Sequence, residues 1–556
     1  MSLRKLLFAL IALTAMSSQA QSNEQKPQFN IIPQPVEIAV VGSDTVDITY
    51  GTALKVGDAS VQPSAQYLTD YAMRYLGIPL TVESPAIGKK GKKRVSAPST
   101  NPSITLINLK NGKVSGGYRM TVRSAEGIRI EGNDAAGVFY GVQTLIQLLP
   151  TRAGVIPRIP ALHITDYPRF GFRGMHLDVV RHFFPVDFVK RYIDYLALHK
   201  MNYFHWHLTD DQGWRIEMKS HPELTQIGSY REGEIEGLFP GKYKPMPYQG
   251  YYTQEQIREV VDYAAARYVT VIPEIDIPGH CMAVLAAYPE FSTTPREGKR
   301  TALTWGIYNR QNNVLAPKPE VFAFLSDVFS ELCDIFPGQY IHVGGDECAK
   351  RWWHDCQETQ QYMRDNNIAD EKALQSHFIH FVQGVVNKKG KTLIGWDEIL
   401  EGGISTDCVV MNWRRPSHGI ESLKSRHRTV ICNNRWSYLN QRESLTQQEL
   451  GSSGPLSLKR VYEYQLIPDG LTAEEEKLIW GAEGCIWTEY IATPWKVEFY
   501  LFPRLSAVAE RVWSPAEKTV WDDFAKKIPT QFDRYDLWGV RYNDAFFRQQ
   551  DIPHIR

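Results

Sequence analysis

The chain is predicted to fold as a (β/α)8 barrel of the α/β class, preceded by a small α+β accessory domain. Three observations predict it. Eight short apolar runs recur between residues 172 and 489, separated by helical stretches, the alternation expected of a parallel barrel. Polar and aromatic residues gather at the C-terminal end of nearly every run, where such barrels carry their chemistry. The 556 residues are too many for one ordinary core, and the first part of the chain has a different rhythm.

In chain order, Arg4 and Lys5 precede an apolar run from Leu6 to Ala15, and Ser18-Gln19-Ala20 supplies small residues at a plausible cleavage point. Residues 1–20 read as a secretory signal peptide, which implies export to a periplasmic or extracellular space. The run is too short to span a bilayer, and no later stretch reaches 18 consecutive apolar residues. Stable membrane insertion is therefore not expected.

Residues 21–165 form the accessory unit. "VEIAV" and "SITLINL" are strand-like, and "AQYLTDYAMRYLG" has helical apolar spacing closed by a glycine. "YRMTVRSAEGIRIEGND" reads as two alternating strands around a turn, followed by the helix "AAGVFYGVQTLIQLLP" stopped at Pro150. The basic run Lys89 to Arg94 lies among Gly, Ser and Pro and reads as a solvated loop.

The barrel is assigned to residues 166–525, and residues 526–556 to a tail packing on it. Its strand runs are 172–180, 201–211, 270–276, 339–347, 391–399, 408–413, 429–434 and 481–489. Between the second and third, "TQEQIREVVDYAAARY" places Ile257, Val260, Val261 and Ala264 on one helical face. Thr253 is its N-cap and Gln256 the partner of a capping box.

Composition excludes some classes. Lys+Arg and Asp+Glu both number 62, so no basic excess suits a polyanion such as a nucleic acid. The seven cysteines contain no CxxC pair, which argues against a cysteine zinc site. An exported chain permits one or two disulfides among them, and the odd count leaves at least one cysteine unpaired.

The run ends carry Asp178 and Arg181, Asp210-Asp211, Asp276, Asp346-Glu347, Trp396-Asp397-Glu398, Trp413, and Trp487 with Glu489. Gly344-Gly345 precede the Asp346-Glu347 pair and permit a bend that turns both acids toward the barrel mouth. Two acids that straddle a glycosidic bond stand about 5–9.5 Å apart on opposite faces of the sugar. Adjacent residues suit that arrangement poorly, so the two acids are expected to do different jobs. His205 and His207 form an HxH on one strand face, as a metal pair does. The alternative is a pair of interior histidines bound to neighbouring acids. A hydrolytic metal site needs further ligands from later strands, and the fifth to eighth runs contain no histidine. Glu274, Asp276 and His280 surround a Pro-Gly turn. Trp396, Trp413 and Trp487, one at each of three strand ends, would make an aromatic box, with Arg173 and Glu489 meeting hydroxyls. That combination points to a sugar.

These stretches together resemble the β-N-acetylhexosaminidases of glycoside hydrolase family 20. The motifs are "FRGMHLDVVRHF", "HWHLTDDQGWR", "PEIDIPGH", "HVGGDE", "GWDEI", "WSYLN" and "GCIWTE", in the family's order across about residues 170–490. The first domain resembles the family's accessory domain. The resemblance implies an exo-acting enzyme that removes terminal β-linked GlcNAc or GalNAc from oligosaccharides or glycoconjugates, with retention, no metal and no cofactor; it leaves the oligomeric state open. It makes Glu347 the general acid/base and Asp346 the carboxylate that orients the substrate's 2-acetamido group, whose carbonyl oxygen is the nucleophile. Tyr438 hydrogen-bonds that oxygen, and Trp396, Trp413 and Trp487 enclose the acetamido methyl. Arg173 and Glu489 grip ring hydroxyls, while Asp210 and His280 form a relay behind Glu347. Asn440 stands where many members carry Asp, which bears on gluco or galacto preference. A disaccharide-releasing relative and a non-catalytic sugar binder on the same fold are the alternatives within this resemblance.

Overall fold

The computed structural model describes residues 29–83 and 102–550. The signal-peptide segment and the basic run at 89–94 lie outside the described residues.

The first domain is a seven-stranded sheet. Its strands are β1 (Glu37–Asp47), β2 (Ala53–Val56), β3 (Thr81–Glu83), β4 (Ile104–Asn108), β5 (Tyr118–Arg123), β6 (Gly127–Gly132) and β7 (Arg158–Asp166), ordered β1-β7-β5-β6-β4-β2-β3. β5 and β6 are the expected antiparallel pair. The helix Ala135–Leu148 follows at once because the Asp134 carboxylate accepts the Gly137 N–H at 2.7 Å, capping its first turn.

The second domain is a closed eight-stranded parallel barrel, one strand from each expected run: Phe172–Asp178, Tyr203–His207, Thr270–Glu274, Tyr340–His342, Thr392–Trp396, Val409–Asn412, Arg428–Ile431 and Ile479–Ile486. Asp178, Trp396 and Asn412 end their strands, while Asp210-Asp211, Asp276, Asp346-Glu347, Asp397-Glu398, Trp413 and Trp487 to Glu489 lie just past the barrel strands at the mouth. The helix Gln254–Ala265 buries Ile257, Val260, Val261 and Ala264 and carries the Thr253/Gln256 capping box.

Charged and aromatic groups join the two domains at the closed end of the barrel. Lys200 pairs with Asp166 at 2.9 Å, both fully buried, and its ammonium stands 4.5 Å from the Trp513 ring centroid. The helix Trp521–Trp538 ties both parts together: Arg534 donates to the Asn30 and Gln147 carbonyls, and Trp538 to the Tyr71 hydroxyl.

One open possibility is closed and one expectation is corrected. All seven cysteines are unpaired and six are buried, so the core holds them as small apolar side chains rather than as bridges. Arg173 is not at the mouth. It is the second residue of the first barrel strand, and its guanidinium donates to the Lys200 and Phe170 carbonyls and the Tyr140 hydroxyl. It packs 4.9 Å from the Trp513 ring centroid, where the domains meet.

Candidate active site

Backbone geometry at the fourth strand end aims both acids. Gly344 and Gly345 have φ of +67° and +91°, values that side chains other than glycine rarely adopt. A Cβ on Gly344 would lie 1.9 Å from Asp276 Oδ1, so only glycine lets the chain pass Asp276. The Gly345 N–H then donates to that same oxygen at 3.0 Å. Glu347 itself sits at φ +44° and His280 at φ +50°, conformations that non-glycine residues hold only where surrounding contacts impose them.

Asp346 and Glu347 converge on one nitrogen: Asp346 Oδ2 lies 3.6 Å, and Glu347 Oε2 3.5 Å, from His280 Nε2. His280 Nδ1 stands 3.0 Å from Asp210 Oδ1 and 3.2 Å from Asp211 Oδ2. Asp210 also meets Arg181 Nη2 at 2.6 Å and His207 Nε2 at 3.0 Å. Burial opposes a charge on His280, but Asp210 and Asp276 raise its pKa well above the ordinary value, so it is an imidazolium.

The two acids have different pKa values. Burial pushes Asp346 up to about 6, helped by the Glu347 charge and opposed by His280. Burial also acts on Glu347, but the His280 imidazolium 3.5 Å away and Arg181 together hold it below the ordinary carboxylate value. Below about pH 6 the proton of the pair in the free site therefore rests on Asp346.

A continuous aromatic wall faces these acids. Trp396 and Trp487 centroids are 6.0 Å apart, Trp487 and Tyr438 5.9 Å, and Tyr438 stacks on Trp413 at 6.3 Å and 15°. Two carboxylates fix the indoles: Glu274 accepts from Trp396 Nε1 and Glu398 from Trp413 Nε1, each at 2.8 Å. Buried polar atoms without a protein partner gather here, namely Trp487 Nε1, Glu489 Oε2, Asn440 Oδ1 and Asp346 Oδ1. Such atoms are rare in native interiors, and at a cleft they are the ones a ligand satisfies. Asn440 donates its amide to Ser452 Oγ at 3.0 Å, which leaves its oxygen as the acceptor.

Arg181 holds the position expected of Arg173. It donates to Gln212 at 2.9 Å and Asp178 at 3.1 Å, and its guanidinium lies 5.1 Å from the Trp487 ring centroid. The signal was in the strand itself: Arg173 begins the run, whereas Arg181 lies just past Asp178 at its C-terminal end. Arg181→Met is expected to lower kcat/KM by about a hundredfold, because Asp210 loses its guanidinium and the site its alignment. Arg173→Met is expected to keep kcat but lower the thermal midpoint, since buried acceptors left unpaired cost about 1–3 kcal/mol each. Thermal melts beside steady-state kinetics on both variants check the contrast.

The HxH pair is used inside the barrel. His205 Nδ1 meets Glu483 at 2.9 Å, and His207 uses both nitrogens on carboxylates, Glu274 at 2.6 Å and Asp210 at 3.0 Å. Ligand atoms of His176, His207 and Glu274 do converge within 4.8 Å, as do those of His205, Glu274 and His342. In the first of these groups His207 offers a metal no free lone pair, because both its ring nitrogens already meet carboxylates.

Residues 170–516 match the family model "Glycosyl hydrolase family 20, catalytic domain", and residues 28–167 match "Glycosyl hydrolase family 20, domain 2". A β-hexosaminidase of Porphyromonas gingivalis is 38% identical over 545 residues, 97% of this chain and 67% of that protein. A β-N-acetylhexosaminidase of Cellulomonas fimi is 30% identical over 93% of this chain and 96% of its own length. Among solved structures, a Vibrio harveyi family 20 exo β-N-acetylglucosaminidase in complex with N-acetylglucosamine superposes with TM-score 0.80 at 30% identity, covering 93% of this chain and 78% of that one. A Streptomyces plicatus N-acetyl-β-hexosaminidase in complex with thio-NAglucal gives TM-score 0.79 at 30% identity, covering 93% and 97%.

Proposed function

This chain belongs to glycosyl hydrolase family 20, and from that premise we propose that it is an exo-acting β-N-acetylhexosaminidase working by substrate-assisted retention. It is a glycoside hydrolase, acting on oligosaccharides or glycoconjugates, and the relatives named above are a β-hexosaminidase, a β-N-acetylhexosaminidase and an exo β-N-acetylglucosaminidase. The observation that carries the mechanism is that Asp346 and Glu347 meet at one histidine nitrogen beside an aromatic box, rather than facing each other across a ring.

In the first step the acetamido carbonyl oxygen attacks the anomeric carbon, the glycosidic C–O bond breaks, and Glu347 protonates the leaving oxygen. The oxazolinium formed bears positive charge on the acetamido group, beside Asp346. Glu347, now a carboxylate, takes a proton from water as that water attacks the anomeric carbon, and the acetamido group is restored. Tyr438 holds the attacking carbonyl, and Trp396, Trp413 and Trp487 pack on the methyl. Arg181, Glu489 and Asn440 meet ring hydroxyls. The sugar also redistributes the proton. A ring laid over Glu347, whose side chain is 41% exposed, desolvates it and raises its pKa, while the acetamido N–H donates to Asp346 and lowers its pKa.

A pH dependence follows. The reactive state carries one proton on the pair, and in the free site the last proton to leave belongs to Asp346, at about 6. As pH rises through that value the pair becomes doubly ionised and kcat/KM, which reports the free enzyme, falls. The kcat limb lies at higher pH, because bound sugar favours protonated Glu347. Full pH profiles check this; a kcat/KM constant from mildly acid to mildly alkaline pH contradicts it.

The function itself is tested by hydrolysis of aryl β-glycosides. Release from the N-acetylglucosaminide and N-acetylgalactosaminide supports it; failure on both, or equal rates on the plain glucoside, refutes it. We also propose export to a periplasmic or extracellular space, on the strength of Arg4, Lys5, the apolar run to Ala15 and the Ser18-Gln19-Ala20 segment. Among the described residues no helix is long and apolar enough to cross a membrane.

A further inference from the structure

Beneath the acids, the barrel interior holds more buried charge than the reaction scheme uses. Glu274 ends the third strand with no exposed surface. Its Oε2 lies 2.6 Å from His207 Nδ1 and 3.1 Å from His205 Nε2, and its Oε1 lies 2.8 Å from Trp396 Nε1 and 3.2 Å from His342 Nδ1. We infer that Glu274 and His207 are positioning residues for the hydrolysis. They form the inner half of a chain of alternating charge, Glu274–His207–Asp210–His280, that ends on the Asp346–Glu347 pair. The same Glu274 carboxylate fixes the Trp396 wall of the aromatic box. This inference rests on the function proposed above.

The links are continuous. His207 donates from Nδ1 to Glu274 and from Nε2 to Asp210 at 3.0 Å, and Asp210 meets His280 Nδ1 at 3.0 Å. His280 Nε2 faces both catalytic carboxylates. A histidine that donates from both nitrogens is an imidazolium, in accord with its pKa: burial opposes the charge, yet Glu274 and Asp210 raise it to about 10. His207, His205 and the Trp396 indole are placed to keep Glu274 ionised. His205 is held by Glu483 on its far side and raised to about 9, against burial. His342 is different: its Nδ1 accepts the Gly344 N–H at 3.0 Å, and burial takes its pKa down to about 4. It therefore stays neutral and anchors the start of the bend that carries Asp346 and Glu347. His176 lies beside this layer, its ring centroid 4.9 Å from that of His205 and 5.6 Å from that of His207.

Stability does not account for this arrangement. Buried ion pairs are often no better for stability than apolar residues of the same volume. What the chain provides is fixed orientation of His280, a group with donors at both ends, and of an indole on the opposite wall. Removing the Glu274 charge lets His207 shed its proton, so the net charge of that pair stays at zero. The field at a distance is then nearly unchanged, while one donor to Asp210 or one acceptor for Trp396 is lost. The consequence is misalignment, which reads in kcat rather than in substrate binding.

The test uses Glu274→Gln, His207→Gln and the double variant of the whole chain, on aryl N-acetyl-β-glucosaminides of graded leaving-group pKa. Each single variant is expected to lose kcat on the order of ten- to hundredfold, with KM within about threefold and the greatest loss on poor leaving groups. Because the two residues act as one unit, the double variant should lose little more than the worse single one. A folded Glu274→Gln enzyme with kcat within about twofold of wild type, or losses that multiply in the double variant, overturns the inference. His207→Gln keeps the Glu274–Trp396 contact and tests the relay if Glu274→Gln fails to fold. An activity-independent readout separates this inference from the functional one. In 15N-histidine-labelled protein, the His280 ring resonances should move in Glu274→Gln, although the two side chains do not touch. Unchanged His280 resonances refute the relay even if wild type cleaves none of these glycosides; wild-type inactivity alone refutes the functional reading.

Discussion

Replacing Glu347 by glutamine is expected to lower kcat by about 10²–10⁴-fold on glycosides with poor leaving groups. The amide has the volume of the carboxyl but cannot deliver a proton to the leaving oxygen or receive one from water. Both steps suffer, so their rates must be separated. On an aryl glycoside with a very good leaving group the first bond breaks without acid help. Loss of the base then limits turnover, and a small anionic nucleophile such as azide should restore it by attacking the oxazolinium directly. Because Glu347 is half open to solvent and ends a bend set by Gly344 and Gly345, the substitution should leave the thermal midpoint almost unchanged. Alkyl glycosides hydrolysed at near wild-type rates by this variant would remove Glu347 from the acid's role.

Asp346→Asn should cost about 10²–10³-fold in kcat on N-acetyl substrates, the scale of losing one preorganised electrostatic partner of a developing charge. The oxazolinium places positive charge on the acetamido group, and an uncharged amide at residue 346 neither offsets it nor accepts the acetamido N–H as strongly. A thiazoline analogue of the intermediate should bind wild type far better than free GlcNAc and lose most of that advantage in the variant. The basic limb of kcat/KM near pH 6 should also shift, since the proton that sets it rests on Asp346 in the free site. The decisive measurement is NMR of the first sugar released from a β-glycoside. The β-anomer is expected, from two displacements at one carbon; an α-anomer appearing first would mean a single inverting displacement and refute the scheme.

The same residues show how far a sequence can be read. Eight apolar runs sufficed for eight barrel strands, because a strand buried on both faces is written by its own consecutive residues. The capping box at Thr253 and Gln256 was legible for the same reason: both partners lie within one turn. The bend before Asp346 was legible because glycine adopts those φ values far more readily than other residues. Arg173 was misplaced because residue type was weighed above position; an arginine that opens a strand lies at the opposite end of the barrel from the mouth. The export signal permitted disulfides but could not pair the cysteines, since whether two cysteines meet is fixed by the path of the chain between them.

By itself, then, the sequence determined the two-domain architecture, the strand set and the residue types at the mouth, all properties of neighbours along the chain. Tertiary structure alone decided which arginine reaches Asp210, which carboxylates hold Trp396 and Trp413, and how the proton is placed between Asp346 and Glu347. Glu274 meets His207 across 67 residues and Trp396 across 122, and His205 meets Glu483 across 278. Only closure of the barrel brings such charges together, and burial then makes their mutual distances, rather than their intrinsic acidities, set which of them is ionised.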